Sequence, residues 1–306
     1  MYEAKVCVKL MKIDGVFSGG GVKAIAFIGC LQSLSENRIT LARVAGTSAG
    51  AIFAALIAAG YKTEEINEQL TTLNLKKFLD PPPLTRKLSL SKWFYLYFQM
   101  GMNRGDRFEK WLREQLLLKG VTTFADLQPG YLKVIATDIT YGRLVVIPDD
   151  LKRFYGVEPD QFSIATAVRM SAGFPYFFVP KQLQTATVGK CLLIDGGLVS
   201  NFPLWVFENI KGPNKRPIIG IKLGEAADRL TQQTISNSFD LLQAMLSTMK
   251  HAHDSRYIST FDKQNIVFVP TSNISPLDLT INQTVKTELI QNGKTATNRF
   301  LKRWPQ

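Results

Sequence analysis

The chain is poor in the residues that most often organise metals and disulfides. Two histidines and three cysteines stand among its 306 residues. Cys7, Cys30 and Cys191 are odd in number and form no C-x-x-C pair, which argues against a disulfide framework and for a reducing compartment. With so few imidazoles and thiols, no metal site is expected. No run of 18 apolar residues occurs, so no transmembrane helix is expected. The first fourteen residues include Lys5, Lys9 and Lys12 and lack a sustained apolar stretch, so they do not read as a secretory signal. A secretion route without a cleaved signal would leave no mark here. Long linkers and internal repeats are also missing, and the chain reads as one domain over 1–306.

Acidic residues run short as well: 25 against 37 basic ones, a net charge of +12. Such a charge favours anionic partners, acidic phospholipid surfaces or nucleic acid. A plain solvated basic surface fits equally. The basic residues are scattered, with no arginine-rich tract, zinc-finger spacing or RNP-type motif, so no nucleic-acid partner is expected.

Strand-like and helix-like stretches alternate. Lys12–Ser18, Leu41–Ala45, Leu132–Asp138, Arg143–Ile147, Lys190–Ile194, Pro217–Leu223 and Ile266–Val269 read as strands. Helical periodicity marks Ile25–Leu34, Ile52–Ala59, Thr63–Leu75, Arg107–Leu118, Ser163–Ser171, a stretch after Pro203 up to Asn209, Ser236 to about Phe261, and Asn282–Trp304 with a break near Gly293. The alternation predicts a three-layer α/β/α fold with a mainly parallel central sheet.

Two glycine-bearing junctions stand out. Gly19-Gly20-Gly21-Val22-Lys23-Ala24 lies between the first strand and first helix. Bare backbone N–H groups in such a loop can converge on an oxyanion, or on a dinucleotide phosphate. No acidic residue ends a second strand at the spacing a dinucleotide site requires. Gly46-Thr47-Ser48-Ala49-Gly50 lies between the next strand and helix. It reads either as a G-x-S-x-G nucleophile elbow or as a small-residue turn with serine capping the helix. In a parallel sheet both junctions lie on one side. Asp195-Gly196-Gly197 ends a later apolar strand, either as a catalytic position or as an Asp-Gly turn. His251 and His253 fall within a long helix far downstream, a poor source for a triad imidazole. Lys92–Met102 is dense in aromatics. Trp93, Phe94, Tyr97 and Phe98 fit either a buried helix or a lid that lines a lipid site or enters a membrane interface.

Four blocks, in order, resemble the bacterial patatin-like phospholipase family: Gly19–Lys23, Gly46–Gly50, Ser171–Pro175 with Phe178 and Pro180, and Asp195–Gly197 running on to Asn201 and Pro203. Ala136-Thr137-Asp138 also sits where the family often has such a strand end. Ala24 departs, standing where the family's first loop usually closes with glycine. The likeness covers about 14–208. It implies a patatin-like fold with a helical cap segment, here the aromatic insert at about 80–118, followed by C-terminal elements over 231–306. It implies lipid acyl hydrolysis by a Ser48–Asp195 dyad, with Gly19, Gly20, Gly21 and Val22 forming an oxyanion hole, Gly46 and Gly50 shaping the elbow, and Gly196 and Gly197 following the aspartate. The resemblance calls for no metal or cofactor. The expected partner is a membrane phospholipid, met by a cytoplasmic protein in peripheral contact with an anionic surface. An esterase, neutral lipase or acyltransferase with the same dyad is the nearest alternative. A non-catalytic lipid-binding module is another, and a nucleotide-binding domain a third.

Overall fold

The computed structural model describes residues 10–81, 98, 100–185, 187–208, 216–224, 235–237, 241, 244–249, 254, 263–271 and 274–304. A predominantly parallel sheet carries the rest. Its strands are β1 (Met11–Phe17), β2 (Ile39–Thr47), β4 (Leu132–Asp138), β9 (Ile218–Leu223) and β10 (Ile266–Val269), all parallel, in the order β10-β9-β1-β2-β4. Three further strands join it through antiparallel pairings: β5 (Arg143–Ile147) and β8 (Gly189–Asp195) on β4, and β7 (Lys181–Thr185) on β8. A separate two-stranded pair joins β3 (Gly101–Asn103) to β6 (Tyr176–Phe178). β3 and β7 escape a sequence reading. One is three residues long, and the other, Lys-Gln-Leu-Gln-Thr, buries only Leu183.

Side-chain alternation splits the core across the sheet. Ile13, Phe17, Val44, Ile219, Ile221 and Val267 face the larger cluster, under α1 (Ala26–Glu36), α2 (Ala49–Ala58), α4 (Asp106–Leu118), α6 (Ile164–Ser171) and α7 (Gln283–Leu301). α3 (Thr63–Thr72) joins it through Ile66 and Leu70, and α5 (Asp149–Tyr155) through Leu151 and Tyr155. Phe17, Phe27 and Phe53 knit β1, α1 and α2 by edge-on ring contacts at 5.2 and 5.3 Å. This geometry suits the aromatic quadrupole. The opposite face carries a smaller cluster of Val16, Ala45, Ile266, Phe202, Leu204 and Phe207. Where an α-helix was expected after Pro203, the chain forms a 3-10 turn, Leu204–Phe207. Its two buried residues are three apart, the spacing that a three-residue turn stacks on one side.

One charge lies deep in this sheet. Asp14 of β1 is fully buried and accepts a two-pronged contact from Arg43 of β2, Nε to Oδ1 at 2.8 Å and Nη2 to Oδ2. A cationic, two-pronged partner of this kind offsets the cost of burying the carboxylate.

The break expected near Gly293 does not occur: α7 runs unbroken from Gln283 to Leu301. Gly293 and Gly29 instead mark the crossing of α7 over α1. A Cβ on Gly29 would overlap the Ile290 carbonyl oxygen, and one on Gly293 the Ala26 carbonyl oxygen. Backbones this close admit no side chain. Cys30 packs in the same crossing, and burial pushes its thiol up to about 12. Gly29→Ala or Gly293→Ala is expected to cost about 1–3 kcal/mol. This is read as a lower midpoint of urea unfolding, and an unchanged midpoint would contradict the crossing.

Candidate active site

β2 ends at Thr47 and α2 begins at Ala49, which leaves Ser48 alone in the turn. Its backbone is at φ 55° and ψ −125°, a strained conformation for a residue with a side chain. The turn is tight enough to require its glycines. A Cβ on Gly46 would overlap the Gly50 carbonyl, and one on Gly50 the Phe17 carbonyl oxygen. The Ser48 side chain does not cap α2. Its Oγ donates to Asp195 Oδ2 at 2.7 Å.

Sheet register explains how residues 147 apart in the chain come into contact. β5 occupies one edge of β4 along Val134–Asp138. β2 and β8 therefore share the other edge. β2 pairs with Leu132–Ile135, ending Thr47 opposite Ile135, and β8 pairs with Ala136–Asp138, ending Asp195 opposite Ala136. The two strands arrive from opposite directions and stop at consecutive positions. Asp195 thus sits where an antiparallel strand abuts a parallel one, not at a parallel strand's outer edge as the sequence pattern suggests. Gly196 lets the chain turn there, because a Cβ would overlap the Ile135 carbonyl oxygen. The aspartate is 2% exposed. Gly197 N–H donates to its Oδ1 at 2.7 Å, leaving Oδ2 for Ser48. That division holds the carboxylate in one orientation.

The Ser171–Pro175 block fastens both partners. Ser171 Oγ donates to the Ile135 carbonyl at 2.5 Å and accepts the Ser48 N–H at 2.8 Å. The Gly173 carbonyl accepts the Asp195 N–H at 3.0 Å. Thr47 Oγ1 donates to the Ser200 carbonyl at 3.0 Å, which ties the far side of the elbow. Asp138, the other strand-end acid, does not join the site. It accepts from Tyr155 Oη at 2.7 Å, Thr140 N–H at 3.0 Å and Arg143 Nε at 3.3 Å, and organises the β4–β5 turn.

The glycine loop passes over Ser48, and a Cβ on Gly19 would lie 3.2 Å from the Ser48 Cβ. Its N–H groups are not equivalent. Gly19 donates to the Asn201 carbonyl at 3.0 Å and Val22 to the Pro276 carbonyl at 3.0 Å. Among the described residues, the Gly20 and Gly21 N–H groups have no acceptor. Of the four residues expected at an oxyanion hole, Gly19 and Val22 thus direct their N–H groups to the fold itself. Gly21 is at φ 57°, and the Pro276 carbonyl occupies the space beside it. Ala24 is buried and accommodated.

Ser48, Asp195 and the loop line a cavity of about 620 Å³. Ile52, Phe53, Leu70, Phe108, Phe177 and Leu246 are among its mostly apolar walls. The β3–β6 pair supplies the Phe177 and Phe178 side. It is held by the buried Arg169, whose Nη2 donates to the carbonyls of Arg104 at 2.6 Å and Val179 at 2.9 Å. Nothing in the sequence marks Arg169 for this role. Phe98 is exposed. Trp93, Phe94, Tyr97 and both histidines lie outside the described residues. Among the described residues no cluster of three His, Cys, Asp or Glu could hold a metal, and no helix is long and apolar enough to cross a membrane. A serine hydroxyl on a carboxylate, under free N–H groups and beside an apolar cavity, can carry out acyl transfer.

Comparison with known proteins places the chain among relatives. The profile of the patatin-like phospholipase family matches residues 15–208. The uncharacterized protein YqhO of Bacillus subtilis is 45% identical over 294 residues, spanning 96% of this chain and 99% of that one. The cUMP-AMP-activated phospholipase of Escherichia coli is 28% identical over 197 residues, 60% of this chain and 54% of that one. Among solved structures, VipD from Legionella pneumophila superposes with a TM-score of 0.58 at 19% identity, over 95% of this chain and 67% of that one. The type III effector ExoU does so at 0.51 and 19%, over 95% and 53%. These two likenesses concern the fold. With the profile spanning more than half the chain and YqhO aligned along nearly all of it, the protein belongs to the patatin-like phospholipase family.

Proposed function

We propose that this protein is a phospholipase A-type lipid acyl hydrolase working through a Ser48–Asp195 dyad. The observation that carries the reading is the 2.7 Å hydrogen bond from Ser48 Oγ to Asp195 Oδ2 at the wall of an apolar cavity of about 620 Å³. Ser48 Oγ attacks an ester carbonyl while its proton passes to Asp195 Oδ2. The Gly20 and Gly21 N–H groups, with the N-terminal end of α2, stabilise the oxyanion. Asp195 then returns the proton to the leaving alcohol. A water, deprotonated by Asp195, hydrolyses the acyl-enzyme. The apolar walls receive the acyl chain, and no cofactor enters the cycle. The net charge of +12 and the exposed Phe98 support work at an anionic membrane surface, with Trp93, Phe94 and Tyr97 of the same segment as further contacts.

Ser48→Ala and Asp195→Asn are each expected to lower kcat on phospholipid vesicles by about 1,000-fold or more. Circular dichroism should show both still folded. Comparable activity in either variant would sink the dyad. Ser171→Ala leaves the Ser48 N–H without its acceptor, which costs about 1–3 kcal/mol. A lower unfolding midpoint together with slower hydrolysis is the expected result. Parallel assays on phospholipid vesicles, triacylglycerol emulsions and short soluble esters separate the phospholipase from an esterase or neutral lipase with the same dyad.

A further inference from the structure

Lys222 sits near the C-terminal end of β9, beside Leu223, and both line the cavity that holds Ser48 and Asp195. Alternation along β9 sends Ile219 and Ile221 into the main core and sets Gly220 against Phe202 and Leu204. Lys222 stands where the pattern would call for another apolar residue. It is only 9% exposed. Among the described residues it makes no ion pair and no side-chain hydrogen bond. Its stem is enclosed while the residue lines an otherwise mostly apolar cavity, and a cation placed there without a counter-ion from the described residues is positioned to meet an anionic ligand. Lys23, half-buried in the glycine loop, lines the same cavity, and burial lowers its pKa. Neither carboxylate of the cavity is a ready counter-ion. Asp195 is committed to Ser48 and Gly197, and Asp254 has an interaction of its own.

Among the described residues no carboxylate pairs with Lys222, which leaves it open to a charge carried by the ligand. Resting on the acyl-hydrolase reading above, we infer that Lys222 anchors the phosphate of a glycerophospholipid in the productive complex. Within such a substrate the scissile carbonyl belongs to Ser48 and the glycine N–H groups. The acyl chain belongs to the apolar walls. The one remaining anionic group is the phosphodiester. Lys222 is then a specificity residue: it favours esters that carry a phosphate over neutral acylglycerols with the same chains.

Binding separates this from catalysis. In a Ser48→Ala background, calorimetry compares three probes: dodecylphosphocholine below its micelle concentration, octyl glucoside, and inorganic phosphate. Adding Lys222→Gln should raise the Kd for dodecylphosphocholine about tenfold or more. Lys222→Arg should restore most of that affinity, and octyl glucoside should not distinguish the variants. Equal binding of dodecylphosphocholine with and without Lys222→Gln overturns the assignment. Inorganic phosphate binding as tightly as the amphiphile also overturns it, in favour of a free-anion site. With Ser48 intact, Lys222→Gln should lower the ratio of kcat/KM on phosphatidylglycerol to that on the matching diacylglycerol about tenfold, chiefly through KM. If the parent protein hydrolyses neither lipid, the hydrolase reading fails while the binding comparison still decides the role of Lys222. Lys222→Met supplies the structural control. An unchanged Tm with weakened dodecylphosphocholine binding is expected, whereas a lower Tm with unchanged dodecylphosphocholine binding would make Lys222 a residue of the fold alone.

Discussion

The site depends on an exchange of partners along one edge of β4. β2 occupies that edge up to Ile135 and β8 takes it over from Ala136. Because one strand runs parallel to β4 and the other antiparallel, their ends meet head to head. Ser48 follows the end of the first and Asp195 is the end of the second, so backbone pairing alone brings them within hydrogen-bonding distance. Shifting either strand by one residue would move the side chains to the opposite face. The contact is thereby tied to the register of the whole sheet, and through Asp14 and Arg43 to the β1–β2 pairing beside it.

Several local costs are concentrated at this junction. Ser48 holds a left-handed backbone, and Asp195 is buried. Each is offset by short, directed hydrogen bonds. Ser171 ties the Ser48 N–H to Ile135, and Gly197 N–H takes one oxygen of Asp195. In the proposed dyad these bonds also serve the chemistry, since Gly197 takes one carboxylate oxygen and leaves the other to the serine. The proposal relies on pre-positioning of this kind for a carboxylate to act on a serine without an imidazole between them.

Much of this was legible in the residue pattern, for physical reasons. Buried strands and amphipathic helices are periodic, and the two glycine junctions and Asp195 follow strands whose apolar runs are easy to see. What escaped depends on distant partners. The polarity of β8 follows from its pairing with β4 and β7, not from its own residues. The inequality of the loop N–H groups comes from Asn201 and Pro276, remote in sequence. Gly293 looked like a helix breaker because its tertiary reason, the α1 backbone, lies more than 250 residues away (Cys30 donates to Gly293 across 263 positions). Arg169 and Lys222 look like ordinary surface cations in the sequence, and only burial sets them apart.

The most direct test of the account is covalent. A fluorophosphonate should add one adduct to the protein, located on the peptide that contains Ser48 by mass spectrometry. Asp195→Asn should slow that labelling by orders of magnitude while the protein stays folded. An adduct on another residue, or equal labelling rates with and without the Asp195 carboxylate, would contradict a serine activated directly by an aspartate.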